Sequence, residues 1–365
     1  MAGIYISWPF CAQKCTYCNF ASGVFPRELE ARYLNALLKE ISAHQFAWAP
    51  ETLYIGGGTP SGMETAAIAD LQRAFPAPAT LEATLEAAPG TLTAERIESW
   101  QIAGINRVSL GVQSFNKSDL SRTGRKHDAQ IVGHDVAMLR AHGIHNINID
   151  LIAGLPGQTE ATWDESLKAA LSLDVPHLSV YMLEIDEDSR LGSEILLGGK
   201  RYGATDVPPD DQIANFYESA VDLLEAHGIH RYEISNFARP GAESLHNLKY
   251  WKRAPYVGFG ADAHSFDGIK RWQNVESAQD YVARSERGES LRSDETSPDP
   301  VEEKFFVGLR LSAGVHADEH DWQRFGPTFE HFLAAGVLER SNGNLRLTSR
   351  GVMVSNEIFQ EFIGL

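Results

Sequence analysis

The sequence predicts an α/β fold: a partial parallel (β/α)6 barrel followed by a small C-terminal α-rich, winged-helix-like domain. Three observations predict it. Short apolar runs alternate with amphipathic helix patterns through the first half of the chain, an order that produces a parallel sheet with right-handed crossovers. Some of those runs alternate apolar with polar residues, whereas a parallel strand covered on both faces is nearly all apolar. The end of the chain breaks this rhythm and reads as helices around one hairpin.

Strands are expected over Ile4–Pro9, Thr52–Gly56, Thr80–Ala87, Arg107–Gln113, Asn146–Ile152 and His177–Leu183. Helices are expected between them over Glu28–His44, Thr65–Ala74, Ala94–Gly104, Ala129–Gly143 and Thr162–Leu173, with Gly104 and Gly143 as C-terminal caps. In the third strand Leu81, Ala83 and Leu85 share one face against Glu82, Thr84 and Glu86. In the fourth, Val108, Leu110 and Val112 oppose Ser109, Gly111 and Gln113. In the fifth, Ile147, Ile149 and Leu151 oppose Asn146, Asn148 and Asp150. The apolar face suits packing on helices, and the polar face implies a lumen open enough to hold a polar molecule. Glu86, Gln113 and Asp150 lie toward strand C-terminal ends, where parallel barrels place their chemistry.

Past Ile185 the periodicity weakens. Residues 186–208 read as loop, Gln212–His227 as helix, 230–275 as an irregular stretch rich in Gly, His and aromatics, and Ala278–Arg287 as helix before a polar linker, RSDETSPDP. Helices and a hairpin turning at Asn342–Gly343 follow. The expected division is a barrel core over 1–185, an extension over 186–297 and a C-terminal module over 298–365.

The composition, 43% hydrophobic and 22% charged over 365 residues, is that of an ordinary globular chain. A net charge of −17 argues against nucleic acid as a partner, because phosphate binding needs a basic surface. The C-terminal module carries ten acidic against six basic residues, which suits a cap or interaction module rather than a DNA reader. No apolar run reaches the ~18 residues of a membrane span, and the first residues read as a strand rather than a signal peptide. A cytoplasmic location is expected, with peripheral docking to a membrane partner left open.

The three cysteines, Cys11, Cys15 and Cys18, form C-x3-C-x2-C, and no other thiol exists in the chain. An odd, clustered set is not a disulfide framework. Structural zinc takes four protein ligands in paired spacings, and here there is no second pair and no histidine before position 44. Three thiolates can instead hold three irons of a [4Fe–4S] cluster and leave the fourth open to a small molecule. The amino and carboxylate groups of methionine can chelate such an iron. The cluster can then pass an electron into the sulfonium of S-adenosylmethionine (SAM).

The spacing after a first strand is that of the radical SAM signature. The segments IYISWPFCAQKCTYCNF, YIGGGTPS, SLGVQSF, NIDLIAGLPGQT and GFGADAHSF resemble the coproporphyrinogen III dehydrogenase-like branch over nearly the whole chain. Within it the chain resembles the heme chaperone HemW type. Phe20 stands where HemN-type enzymes usually carry a further cysteine, His246-Asn247-Leu248-Lys249-Tyr250-Trp251 matches the HemW-type H-N-x-x-Y-W, and no longer N-terminal extension precedes Cys11. Ser7 and Trp8 depart from the usual YIHIPFC. The resemblance implies a [4Fe–4S] cluster on the three cysteines. It implies SAM contacts from Tyr5, Tyr17, Gly57, Gly58, Thr59, Glu86, Gln113, Arg125 and Asp150, and an adenine-side turn at Gly154–Thr159. It also implies heme near His246, Tyr250, Trp251 and His264, with heme and a recipient hemoprotein as partners of a monomer or homodimer. From the residues alone, His246 reads first as a hydrogen-bonded histidine in a packed corner, since most of the chain's 13 histidines cannot be ligands. Two other functions fit the same branch: oxygen-independent decarboxylation of coproporphyrinogen III propionates, and radical SAM methyl transfer.

Overall fold

The computed structural model describes residues 2–75 and 81–364. Strands β1 (Ala2–Trp8), β2 (Pro50–Gly57), β3 (Glu82–Ala87), β4 (Arg107–Gln113), β5 (Asn146–Ala153) and β6 (His177–Met182) lie side by side in that order, all parallel. The connecting helices are Arg27–Ala43, Thr65–Ala74, Ala94–Ile102, Ala129–Ala141 and Glu160–Ser172, and Asp210–Ala226 follows β6. Thr93, Asp128 and Thr159 cap three of them, each side-chain oxygen accepting a backbone N–H of the first turn. Every expected barrel strand is present within a residue or two of its predicted ends. Thr80 falls outside the described residues. Leu81, expected on the apolar face, precedes β3 and is 68% exposed.

The irregular stretch after β6 extends the sheet at both ends. β7 (His230–Arg231) and β8 (Asn236–Ala238) add antiparallel beside β6. β9 (Tyr256–Phe259) adds parallel to β1, and β10 (His264–Phe266), β11 (Arg271–Asn274) and β12 (Arg292–Thr296) follow antiparallel, giving twelve strands. The expected polar linker is therefore largely β12. All of β12 is exposed, and its charged, polar sequence protects a sheet edge while hiding its strand character. The expected 186–208 loop also needs correction, since it contains the helix Arg190–Leu196, capped by Ser189. Leu191 anchors that helix: its side chain is buried and its N–H donates to the Thr16 carbonyl at 2.8 Å. A seven-residue helix is too short to show a periodicity.

The C-terminal module packs helices Pro300–Gly308 and Glu319–Ala334 against the hairpin Leu338–Ser341 and Asn344–Leu347. Asn342 (φ 51°) and Gly343 (φ 83°) both take the left-handed turn conformation that a two-residue hairpin demands. Phe305, Phe325, Phe329 and Phe362 form its centre, and that core is continuous with the barrel's.

Strand register stacks the inward-facing residues into rungs. One rung joins Tyr5, Tyr54, Thr84, Arg107 and Asn146. The next in the C-terminal direction includes Glu86, Ser109, Asn148 and His177, and above it lie Asp150, Ser179 and Asn236. Much of this polar wall is satisfied internally rather than by solvent. Asn148 Nδ2 donates to Ser109, Asp150 and Ser179, and its Oδ1 accepts from His177 Nδ1 at 2.6 Å. His177 Nε2 meets the Tyr232 hydroxyl at 2.9 Å.

The opposite, N-terminal end of the barrel is closed by the helix Leu245–Trp251. Buried Glu82, the first residue of β3, accepts from Ser244 Oγ (3.2 Å) and from the backbone N–H groups of Leu245 and His246 (3.0 Å each). A carboxylate at a helix N-terminus satisfies orphan donors and suits the helix dipole. The Arg107 guanidinium lies 4.0 Å from it. Glu82→Ala removes these three bonds and leaves a buried cation without its nearest countercharge. It is expected to cost roughly 3–5 kcal/mol in denaturant unfolding.

Candidate functional site

The cysteines sit on the loop that leaves β1, at the C-terminal mouth of the barrel, where they are partly buried free thiols. Two neighbouring segments hold the loop. The Cys11 N–H donates to Gly23 O, and Gly23 N–H to Pro9 O, at 2.8 Å each. From β2, the Gly58 N–H donates to Trp8 O (2.8 Å) and the Thr59 N–H to Phe10 O (2.9 Å). Gly58 is required by this close approach, because a Cβ there would stand 2.7 Å from the Phe10 carbonyl oxygen. Trp8, unusual in its motif, is buried against Phe10 and Tyr33 and anchors the loop's root.

The thiols feel one another. Burial raises the Cys11 pKa, with Cys18 and Cys15 pushing the same way and the Thr59 and Ser22 hydroxyls opposing. Among the described residues, no three His, Cys, Asp or Glu side chains are gathered around a single-ion position. The donor set is thus three soft thiols without a hard or imidazole partner, which fits an iron–sulfur cluster better than a lone ion.

Arg125 and Tyr17 flank Cys15. Burial opposes the Arg125 charge, but Tyr17 and Cys15 outweigh it and raise its pKa, while its Nε is buried without a hydrogen-bond partner. Gln113 closes β4 in the left-handed region (φ 70°). Its amide and the Arg125 guanidinium converge over Gly111, where a Cβ would lie 3.2 Å from Gln113 Nε2 and 3.7 Å from Arg125 Nη2.

Below them are the two carboxylates. Glu86 accepts from the Tyr54 hydroxyl (2.9 Å) and the Gly57 N–H (3.1 Å). Burial, with the charge of Asp150 added, pushes its pKa up to about 7. Burial also raises Asp150, against hydrogen bonds from Ser179, Asn148 and Ser109 and the pull of Arg107. Tyr5 stacks on Tyr54 at 6.2 Å, so it lines the lumen beside Glu86. Tyr181, absent from the sequence prediction, belongs to this wall. It is 41% exposed in the middle of the molecule, with Asp150, Glu233 and Glu86 acting on its hydroxyl. The signal was available, since Tyr181 continues the alternation of His177 and Ser179 along β6. The Gly154–Thr159 turn is braced by buried Gln158, which accepts from the Gly154 N–H at 2.6 Å, and ends in a capping box formed by Thr159 and Thr162.

The predicted heme residues do not form one group of available ligands. His246 is 1% exposed, with Nδ1 2.9 Å from Thr52 Oγ1 and Nε2 2.8 Å from the Tyr250 hydroxyl. An axial ligand must offer a free lone pair, and in this arrangement both His246 nitrogens are engaged within the protein. Burial, helped by Lys249 and Arg107, lowers its pKa to about 3. Tyr250 packs edge-on against Tyr256, and Trp251 stacks under Arg310. His264, on β10, is exposed.

Residues 5–170 match the family model of the radical SAM superfamily, and residues 296–354 that of the HemN C-terminal domain. The chain is 35% identical to the heme chaperone HemW of Bacillus subtilis over 383 aligned positions, with 100% of both chains covered. It is 38% identical to the heme chaperone HemW of Escherichia coli, with 99% of this chain and 97% of that one aligned. The chain belongs to the HemW family of radical SAM proteins. A [4Fe–4S] cluster and SAM are the cofactors that membership in the superfamily brings. The crystal structure of coproporphyrinogen III oxidase (HemN) from Escherichia coli superposes with a TM-score of 0.84 over 100% of this chain and 90% of that one, at 21% identity, and shares the fold. HemW-type sequence and HemN-type architecture thus coincide here.

Because His246 is neutral in the fold and protonates near pH 6.5 when unfolded, it stabilises the native state fully above that pH. This contribution is lost as pH falls from about 6.5 toward about 3. The stability advantage of the wild type over His246→Asn is expected to shrink across that window by roughly 1.4 kcal/mol per pH unit, read from urea unfolding at stepped pH.

Proposed function

We propose that Cys11, Cys15 and Cys18 each ligate one iron of the [4Fe–4S] cluster and that the chain carries heme to recipient hemoproteins. The observation that carries the reading is the grouping of three free, mutually interacting thiols at the barrel mouth, directly above a lumen walled by carboxylates and an amide. When bound, the cluster supplies one electron to the SAM sulfonium and so makes an adenosyl radical accessible.

Each surrounding residue has a task its chemistry suits. Arg125 offers a guanidinium to the methionyl carboxylate. The N–H groups of Gly57, Gly58 and Thr59 are all engaged within the protein, so this segment offers carbonyl oxygens, which suit the methionyl ammonium. Glu86, Gln113 and Asp150 supply acceptors for the ribose hydroxyls and the amine. Tyr5 and Tyr17 wall the site, and the Gly154–Thr159 turn borders the adenine.

For heme, His264 is the histidine of the predicted set whose ring stands exposed, and we assign it as the ligand. Tyr250 and Trp251 flank the same extension, and His246 holds their helix in place. The barrel with its two-sided extension and the acidic C-terminal module form the functional divisions, the module serving to dock a recipient or a second copy. No helix among the described residues is long and apolar enough to cross a membrane. We place the protein in the cytoplasm, with peripheral membrane contact compatible with its task.

Cys18→Ala removes one of three ligands and is expected to abolish the iron–sulfur absorbance of anaerobically reconstituted protein while leaving the far-UV circular dichroism intact. SAM affinity is expected to rise with pH through about 7, because Glu86 accepts hydrogen bonds best when ionised. Glu86→Gln should flatten that dependence in equilibrium dialysis. In a Soret titration, His264→Ala is expected to weaken or lose the saturable heme band that wild type shows. His246→Ala should retain heme binding at a temperature where it remains folded. An unchanged band in His264→Ala would overturn the ligand assignment, and no band in wild type would overturn the carrier reading.

A further inference from the structure

Arg107 stands at the floor of the lumen, 4.0 Å from the Glu82 carboxylate but without a hydrogen bond to it. It is 2% exposed, its Nε has no hydrogen-bond partner, and among the described residues no side-chain hydrogen bond of its guanidinium is formed. Its neighbours in the same rung share the condition. Thr84 pairs with Arg107 across β3–β4 and Asn146 pairs with it across β4–β5, and Thr84 Oγ1 and Asn146 Oδ1 are both buried without a partner. Three adjoining unsatisfied groups are not scatter. A buried donor or acceptor that nothing meets is destabilising, and a buried guanidinium more so.

The carboxylates nearby are already served. Glu82 takes its three hydrogen bonds from the floor helix and approaches Arg107 only at 4.0 Å. Asp150 is held by Asn148 and Ser109, and Glu86 by Tyr54 and Gly57. The guanidinium therefore keeps donors that its 4.0 Å ion pair with Glu82 does not use. Within the rung Tyr5 and Tyr54 keep some accessible surface, and above it Glu86, Gln113, Asp150 and Tyr181 do too, so the polar lumen lies between the rung and the mouth.

We propose that the Thr84–Arg107–Asn146 rung is a carboxylate subsite, which receives the acid group of a small molecule entering from the cysteine-bearing mouth. A guanidinium fork matches a carboxylate with two parallel hydrogen bonds. The Thr84 hydroxyl donates a further one, and the Asn146 amide, turned to present its NH2, another. The same chemistry has two sources, a free short-chain acid and a propionate side chain of heme. The second source rests on the carrier reading and the first does not.

The test uses full-length reconstituted protein titrated with 13C-propionate and followed by NMR, in wild type, Arg107→Lys and Thr84→Val. Saturable binding is expected in wild type, weakened about tenfold in Arg107→Lys, which keeps the charge and loses the fork. A loss of about fivefold is expected in Thr84→Val, whose removed hydroxyl makes no bond within the protein, so its fold is preserved. A parallel Soret titration compares heme with its dimethyl ester. Weaker binding of the ester in wild type, with the difference erased in Arg107→Lys, assigns the subsite to heme propionate. Equal binding of heme and ester, together with saturable propionate binding, assigns it to a free acid. Heme binding without ester discrimination and without saturable propionate binding means that ordered water alone fills the rung. That result overturns this proposal while leaving the carrier reading standing.

Discussion

A parallel barrel whose inner face is polar must find a hydrogen-bond partner for each group it buries, and the rest of this structure depends on that requirement. The outer faces of β3 to β5 pack on helices through Ala83, Leu85, Val108, Leu110, Ile147 and Ile149, as hydrophobic burial demands. The inner faces carry Glu86, Ser109, Asn148, Asp150, His177 and Ser179, which solve the problem among themselves by cross-strand bonds. Such a wall is rigid where satisfied and receptive where not. Along the lumen the unsatisfied groups of the described residues lie at Arg125 and Tyr17 by the mouth and at the Arg107 rung by the floor.

The two ends of the lumen are finished by different means. At the mouth, backbone bonds from Gly58 and Thr59 fix the departure of the cysteine loop from β1, so the metal-binding segment is positioned by strand ends rather than by its own residues. At the floor, a short helix is clamped by the Glu82 carboxylate at its N-terminus. His246 and Tyr250 then serve as struts between helix and barrel wall, through Thr52 and through each other. The segment His246–Trp251 is thus built into the barrel's closure. A change there reaches the lumen through Tyr54, which lies between His246 and Glu86.

The electrostatics follow from burial. Glu86 and Asp150 share a dehydrated space, so the two resist simultaneous ionisation, and Glu86 titrates near neutrality. Neutral His246 and His177 sit close to Arg107, whose charge helps exclude their protonation. A chain of net charge −17 thus buries two cations, Arg107 and Lys249, at the base of its central space.

The sequence by itself determined the six parallel strands, their helices, the thiol set and the family, because periods of two and 3.6 residues and a three-cysteine spacing are local properties of the chain. It also placed Glu86, Gln113 and Asp150 on the lumen face, since alternation along a strand dictates facing. The helix Arg190–Leu196 and β12 were illegible, because one is too short for a periodicity and the other is an exposed, charged edge strand defined by pairing alone. Tyr181 was readable from the same alternation and was passed over. For His246 the sequence offered a packed corner or a ligand, but not the partners of its ring. Whether an imidazole is a ligand or a strut depends on what meets its two nitrogens, and Thr52 and Tyr250 come to it from β2 and from one helical turn away only when the chain is folded. Only the tertiary structure could decide that, and likewise that the three groups of the Arg107 rung lie together unpaired, because hydrogen-bond satisfaction is a property of neighbours in space.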